Sequence, residues 1–220
     1  DTLNSDWLSK GPKTKKFEEQ FQSYVGAKYA IALSSCTAAL HIALLTVGVK
    51  PGDEVITSPL TFIATGNAIL YVGAKPVFVD IQRDTYNMDP ELLEQKITKK
   101  TKAIIPVHFA GLSCEMETIQ KIARKYQIPI IEDAAHAIGA SFRDKKIGNI
   151  GDITCFSFYA TKAMTTCDGG MITTNNEDFA KKLEVLSLHG MSTGAWQRYS
   201  PTGSAKWEMV ELGYKYNMTD

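Results

Sequence analysis

Neither charge is in excess in this sequence: 24 lysines and arginines stand against 24 aspartates and glutamates in 220 residues. A nucleic-acid-binding surface or an anionic-membrane footprint carries a basic surplus, so neither partner is expected. No apolar run is long enough to span a bilayer; residues 38–47 come nearest and are interrupted. The opening Asp1-Thr2-Leu3-Asn4 is not basic and leads into no apolar core, so no secretory leader is expected there. Cysteine is scarce, and Cys36, Cys114, Cys155 and Cys167 form no CxxC pair. Free thiols of a cytoplasmic protein are expected, and a zinc site is not. Internal repeats and low-complexity runs are missing too.

What is present is ordinary for a globular chain, 44% hydrophobic and 22% charged. The length suits one large domain or two small ones. With no initiator methionine, and closing on Gly213-Tyr-Lys-Tyr-Asn-Met-Thr-Asp220, the sequence reads as a segment of something longer.

Helical and strand patterns alternate. Phe17, Phe21, Tyr24 and Val25 make a helical stripe over residues 14–24, stopped by Gly26. Residues 37–47 form a helix apolar nearly all round, hence buried. Further helices are expected at 61–72, 115–126 and 177–188, with a start at Asp89-Pro90. Strands are expected at 29–33, 54–57, 75–80, 102–108, 128–132, 153–158 and 171–174. The alternation predicts an α/β fold with a mainly parallel sheet sandwiched by helices. Residues 1–190 are assigned to this domain. Residues 191–220 are assigned to a loop or lid, weakly patterned over 191–211, and the start of a connection onward.

The chemistry concentrates at strand ends. Lys162 follows the strand at 153–158 in Phe156-Ser-Phe-Tyr-Ala-Thr-Lys162, with Ser157 before it and Gly169-Gly170 after it. A partly desolvated amine on a rigid strand end is suited to attack a carbonyl; a surface lysine at a turn is the plainer alternative. Asp133 ends the apolar strand Ile128-Pro-Ile-Ile-Glu132, where a carboxylate requires a cationic or hydrogen-bonded partner. A pyridinium nitrogen would be one. His136 follows within a turn, and a metal bound by Asp133 and His136 would lack a third ligand. Ser34-Ser35-Cys36-Thr37-Ala38 joins a strand to the buried helix, a junction that can hold a phosphate or simply cap the helix. Phe62 opens a helix just after a strand end and could lie on a planar ring or in the core.

Together these stretches resemble the DegT/DnrJ/EryC1/StrS sugar aminotransferases among the fold-type-I pyridoxal phosphate enzymes. The resemblance rests on residues 34–40, 58–65, 131–139, 156–162 and 213–220, in that order, and runs from Gly11 to the end. It implies that this chain is the large cofactor-binding domain, with the small C-terminal domain absent. It implies that Thr37 and Ala38 hold the cofactor phosphate with Ser157, and that Phe62 stacks on the ring. Asp133 then pairs with the ring nitrogen, His136 sits near the ring hydroxyl, and Lys162 carries the cofactor covalently. Lys215, where many members have asparagine, is expected to reach a neighbouring subunit's cofactor phosphate. Ala163 and Asp168 replace a frequent asparagine and glutamate. Related dehydratases carry histidine at the lysine position, so Lys162 favours transamination. The implied activity moves an amino group, from glutamate, to a nucleotide-linked keto sugar in amino-sugar biosynthesis. The implied assembly is a cytoplasmic homodimer with shared sites.

Overall fold

The computed structural model describes residues 2–5, 7–192 and 208–220. Helix α1 (Pro12–Val25) leads into strand β1 (Tyr29–Leu33), and α2 (Cys36–Thr46) follows at once. Then come β2 (Glu54–Thr57), α3 (Ile63–Tyr71), β3 (Lys75–Phe78), the short α4 (Pro90–Leu93), β4 (Thr101–Ile105), α5 (Met116–Tyr126) and β5 (Ile131–Asp133). A small hairpin, β6 (Ser141–Phe142) with β7 (Lys145–Lys146), precedes β8 (Ile153–Ser157), β9 (Gly170–Thr174) and α6 (Glu177–Ser187).

The strands run in the order β3-β2-β4 and β5-β8-β9-β1. Isolated parallel bridges, Ile104 to Ile130 and Val107 to Asp133, join the two sets between β4 and β5. Pro106 and Pro129 lie at this seam. A proline has no N–H to give to a ladder, so the pairing there breaks into single bridges. That is why β4 and β5 differ from the strands expected at 102–108 and 128–132.

The sheet is mainly parallel, as the alternation predicts, with one exception. β9 runs antiparallel to both β8 and β1. No helix lies between β8 and β9, and a short return without a crossover can only bring the chain back antiparallel.

Side-chain alternation divides the core between the two faces. Ile31, Leu33, Cys155 and Ile172 pack with Leu40, Ile42 and Leu44 of α2 and with α6. Their neighbours Ala30, Ala32, Phe156 and Met171 pack on the other face with Phe21 and Val25 of α1. Met116, Ile119 and Ile122 of α5 cover β2 and β4 with Ile56 and Ile104. Burying a side chain such as Leu40 contributes roughly 1.5–3 kcal/mol, so α2 is held by packing rather than by its surface.

The ends of the helices are satisfied locally. Gly26 ends α1 in the left-handed conformation, with its N–H on Gln22 O. Asn176 caps α6 through the N–H groups of Asp178 and Phe179. The first turn of α1 is capped from far away. The Asp220 carboxylate accepts from the N–H groups of Gly11, Lys13 and Thr14 and from the Thr14 hydroxyl, at 2.6–2.9 Å. This bond set ties residues 11–14 to the last residue of the sequence. Residues 193–207, which fill most of the expected loop at 191–211, lie outside the described residues.

Candidate active site

Where parallel strands point their carboxyl ends, an α/β sheet opens a crevice. Here that crevice is a cavity of about 410 Å³. Thr37 with Ser35 and Cys36 lines it from the start of α2, and Phe62 with Thr61 from the start of α3. Asp133 and His136 enter from the end of β5, and Ser157, Lys162 and Asp168 from the end of β8 and its loop. The lysine and the carboxylate that the sequence marks out thus face one hollow.

Asp133 reaches it because Ile131 and Asp133 share the face of β5 that packs on α2. The carboxylate is buried and oriented by two donors. Thr65 Oγ1 donates to Oδ2 at 2.7 Å, and the Ala135 N–H donates to Oδ1 at 3.2 Å. Two donors leave lone pairs free, since an ionised carboxylate has about four acceptor positions.

Lys162 sits half-buried in the loop after β8, its N–H on Tyr159 O at 2.9 Å. The loop is tied down further by Thr166 N and Thr165 Oγ1, which both donate to Phe158 O. His136 feels the surrounding charges. Burial and the Lys162 amine lower its pKa, and Asp133 partly offsets them, so its imidazole is neutral near pH 7. Burial raises the Cys36 thiol well above its ordinary value, with Asp133 adding to the effect.

The α2 side of the cavity depends on a close approach. At Gly170, the first residue of β9, a β-carbon would lie 2.4 Å from the Ser35 carbonyl carbon and 2.6 Å from Cys36 N. Only glycine lets β9 press against the start of α2, where first-turn N–H groups have no partner within the helix. Gly111, at φ +90°, does the same for the loop after β4: a β-carbon there would stand 2.9 Å from His136 O.

Two further residues do not line this cavity. Ala38 does not line the cavity, and its N–H donates to Ser35 Oγ at 3.1 Å. Ser35 is therefore a helix cap, as the plainer reading of that segment had it. Lys215 is exposed on the closing segment, with its ammonium on Asn217 Oδ1.

Other residues that matter here drew no attention in the sequence. Thr65 is fully buried and holds Asp133; it lies one helical turn after Phe62, the spacing of a side chain on the same face. Behind the cavity, Glu132 is fully buried on the opposite face of β5. Its Oε2 pairs with His108 Nε2 at 2.9 Å, and Oε1 accepts from Gly151 N and Thr154 Oγ1, each at 2.7 Å. Burial opposes a second proton on His108, while the Cys114 side chain and the Glu132 carboxylate favour one and raise its proton affinity overall. The Cys114 N–H donates to His108 Nδ1 at 3.1 Å, so a proton taken up there has to displace that bond. The signal was the adjacency of Glu132 and Asp133, since consecutive strand residues face opposite ways and each requires its own partners.

Known proteins are similar to this chain in sequence and in fold. The chain is 54% identical over 220 residues to the spore coat polysaccharide biosynthesis protein SpsC of Bacillus subtilis, covering all of the chain and 57% of SpsC. It is 44% identical over 221 residues to a UDP-4-amino-4-deoxy-L-arabinose–oxoglutarate aminotransferase of Shewanella sediminis, covering all of the chain and 56% of that protein. Its fold superimposes on the putative sugar aminotransferase Spr1654 of Streptococcus pneumoniae in its PMP form, with a TM-score of 0.92 and 40% identity. All of the chain and 60% of that structure are covered; the PLP form of the same protein gives 0.90. The chain thus spans a little over half the length of these relatives. A family model matches residues 1–220 from end to end, and the chain belongs to the DegT/DnrJ/EryC1/StrS aminotransferase family.

Proposed function

We propose that the protein containing this chain is a pyridoxal phosphate-dependent aminotransferase that converts a nucleotide-linked keto sugar to an amino sugar, with glutamate as the donor. The observation that carries this is the meeting of Lys162, Asp133, Ser157 and Thr37 in one cavity at the strand ends. The site fits the cofactor on its own features. Asp133 is buried with acceptor positions to spare, as a cationic ring nitrogen requires. The hydroxyls of Thr37 and Ser157 stand beside a helix N-terminus, as an anion requires. Phe62 is exposed at the rim, free to stack on a flat ring.

When bound, pyridoxal phosphate supplies an electron sink for the carbanion formed at the donor's α-carbon. In this proposal Lys162 Nζ holds the cofactor and then takes the proton from that α-carbon. Asp133 keeps a positive charge opposite it, and the neutral His136 offers a hydrogen bond without adding to that charge. The name of the Shewanella relative, with its UDP-sugar and oxoglutarate, supports the substrate class and the donor.

The exposed Lys215 and the exposed apolar residues Ile63, Leu70 and Tyr71 on α3 support a homodimer in which Lys215 serves the neighbouring site. The three buried free thiols Cys36, Cys114 and Cys155 suit the cytoplasm.

The test is made on purified full-length protein with pyridoxal phosphate. A visible absorbance band and a borohydride-fixed adduct on Lys162 are expected, with turnover of a UDP-linked keto sugar and glutamate. Lys162→Ala should lose the adduct and slow turnover by about 10²–10⁴-fold, what a positioned acid–base group supplies. An alanine variant that turns over at the full rate would overturn the reading.

A further inference from the structure

Resting on that proposed reading, we propose that Thr65 is a positioning residue for Asp133, the inner link of a directed chain of hydroxyls running from Thr61 through Thr65 to the carboxylate. The direction follows from counting protons. Thr65 Oγ1 is 2.7 Å from Asp133 Oδ2 and 2.7 Å from Thr61 Oγ1. Its contact with Phe62 O is longer, at 3.3 Å. An ionised carboxylate can only accept, and a hydroxyl has one proton to give. The Thr65 proton therefore lies on the Asp133 bond, and the contact with Thr61 is made by the Thr61 proton. Thr61, which lines the cavity, then meets whatever enters as an acceptor.

The chain has a mechanical role as well. Thr65 is fully buried in the first turn of α3, so its hydroxyl cannot be replaced by water from outside. The bond fixes the tilt of the Asp133 carboxylate and couples it to the segment that presents Phe62. The two residues that would hold the cofactor ring, Phe62 and Asp133, are thereby set by one turn of helix. The titratable groups that feel Asp133 are His136, Cys36 and Cys155, Lys162 lines the same cavity, and all four remain in the variants below.

Removing the donor makes the carboxylate easier to protonate. A hydrogen bond to a charged group carries enough free energy to move a titration by about one pH unit. The experiment measures the fraction of protein retaining pyridoxal phosphate against pH, by absorbance after desalting. In Thr65→Val the acid limb of retention should move up by about one pH unit. Thr65→Ser, which keeps the hydroxyl, should return it to the wild-type position. Loss of packing alone would weaken retention evenly across pH and leave the limb in place.

An unmoved limb in Thr65→Val, or a serine variant that behaves like valine, overturns the inference. Should Thr65→Val fail to fold, Thr61→Val breaks the outer link and should move the limb the same way by a smaller amount; an unmoved limb there also overturns it. Wild-type protein that retains no cofactor at any pH overturns this inference together with the proposed function. A normal wild-type profile unchanged in the variants overturns this inference alone.

Discussion

Two carboxylates lie back to back on β5, Glu132 beside His108 and Asp133 near His136, and they are built on opposite plans. Glu132 and His108 are both sealed, and the carboxylate meets three donors: an imidazole, a backbone N–H and a hydroxyl. Asp133 and His136 face the cavity, and the carboxylate meets two donors with acceptor positions left over. A buried anion whose donors all come from the protein, on both of its oxygens and sealed from any cavity, is a brace. A buried anion with positions to spare is prepared for a cation that arrives later. The difference separates structure from function more sharply than burial does, since both carboxylates are buried.

The same small change on each side should break the comparison in opposite ways. Glu132→Gln puts an amide N–H₂ against at least one of His108 Nε2–H, Gly151 N–H or the Thr154 hydroxyl. A buried network that loses one partner in this way is destabilised by about 3 kcal/mol. Urea denaturation at pH 7 should show that loss, and an unchanged midpoint would remove the distinction between the two carboxylates. Asp133→Asn should cost under about 1 kcal/mol of stability, because it relieves an incompletely solvated charge. It should instead slow turnover roughly 10³-fold, the scale of a lost electrostatic contact at a reacting centre. Steady-state kinetics beside the same urea titration checks both halves.

The contrast also shows which parts could be read from the amino-acid order. Strand and helix positions were legible because their side-chain periods are local: β1 and β2 fall at the expected residues, and α2 within one residue of its expected ends. Lys162, Asp133, Ser157, Thr37, Phe62 and His136 were legible as well, and the fold brings all six to one cavity. The brace was not, because Glu132, His108, Gly151 and Thr154 come from separate segments and meet only when the sheet closes. Thr65 was hidden for a related reason: a threonine in an apolar helix gives no sign of the carboxylate it will meet. The reversal of β9 follows from the missing crossover helix, a signal that was in the sequence. For the Ala38 N–H the two readings of that segment stay close, because a cap and an anion site use the same donors, and here Ser35 accepts from it.

A third carboxylate lies between the two plans. Asp220 meets four donors from the first turn of α1, as a brace would, but it stands only partly buried. Burial pushes its pKa up, and the bonds from Thr14, Lys13 and Gly11 pull it down further than that, so it stays below the usual carboxylate range. A depressed value stabilises the fold above the unfolded pKa of about 3.9 and stops doing so as pH falls through the folded value. Asp220→Ala should therefore cost about 1–2 kcal/mol at pH 7, the worth of a good helix cap. The gap from wild type should close on acidification below about pH 4. A gap that persists there would mean that packing, not the charge, holds residues 11–14.

The smallest expected effect belongs to His136, and it tests the open side of the comparison by its sign. Its pKa is lowered by burial first and the Lys162 amine second. The unfolded chain, near 6.5, then binds a proton more readily than the folded one. Stability should fall as pH drops below about 6.5 and level off once the folded ring is protonated as well; above neutrality the residue contributes nothing. His136→Gln removes this contribution and should flatten the melting temperature over that window. His41 is lowered by burial too, but it remains in both proteins and cancels in the difference. The opposite slope, with wild type gaining on the variant as pH falls, would mean that Asp133 and not Lys162 governs the charge His136 feels. The cavity would then be an acidic site, and His136 would lose its reason for staying neutral.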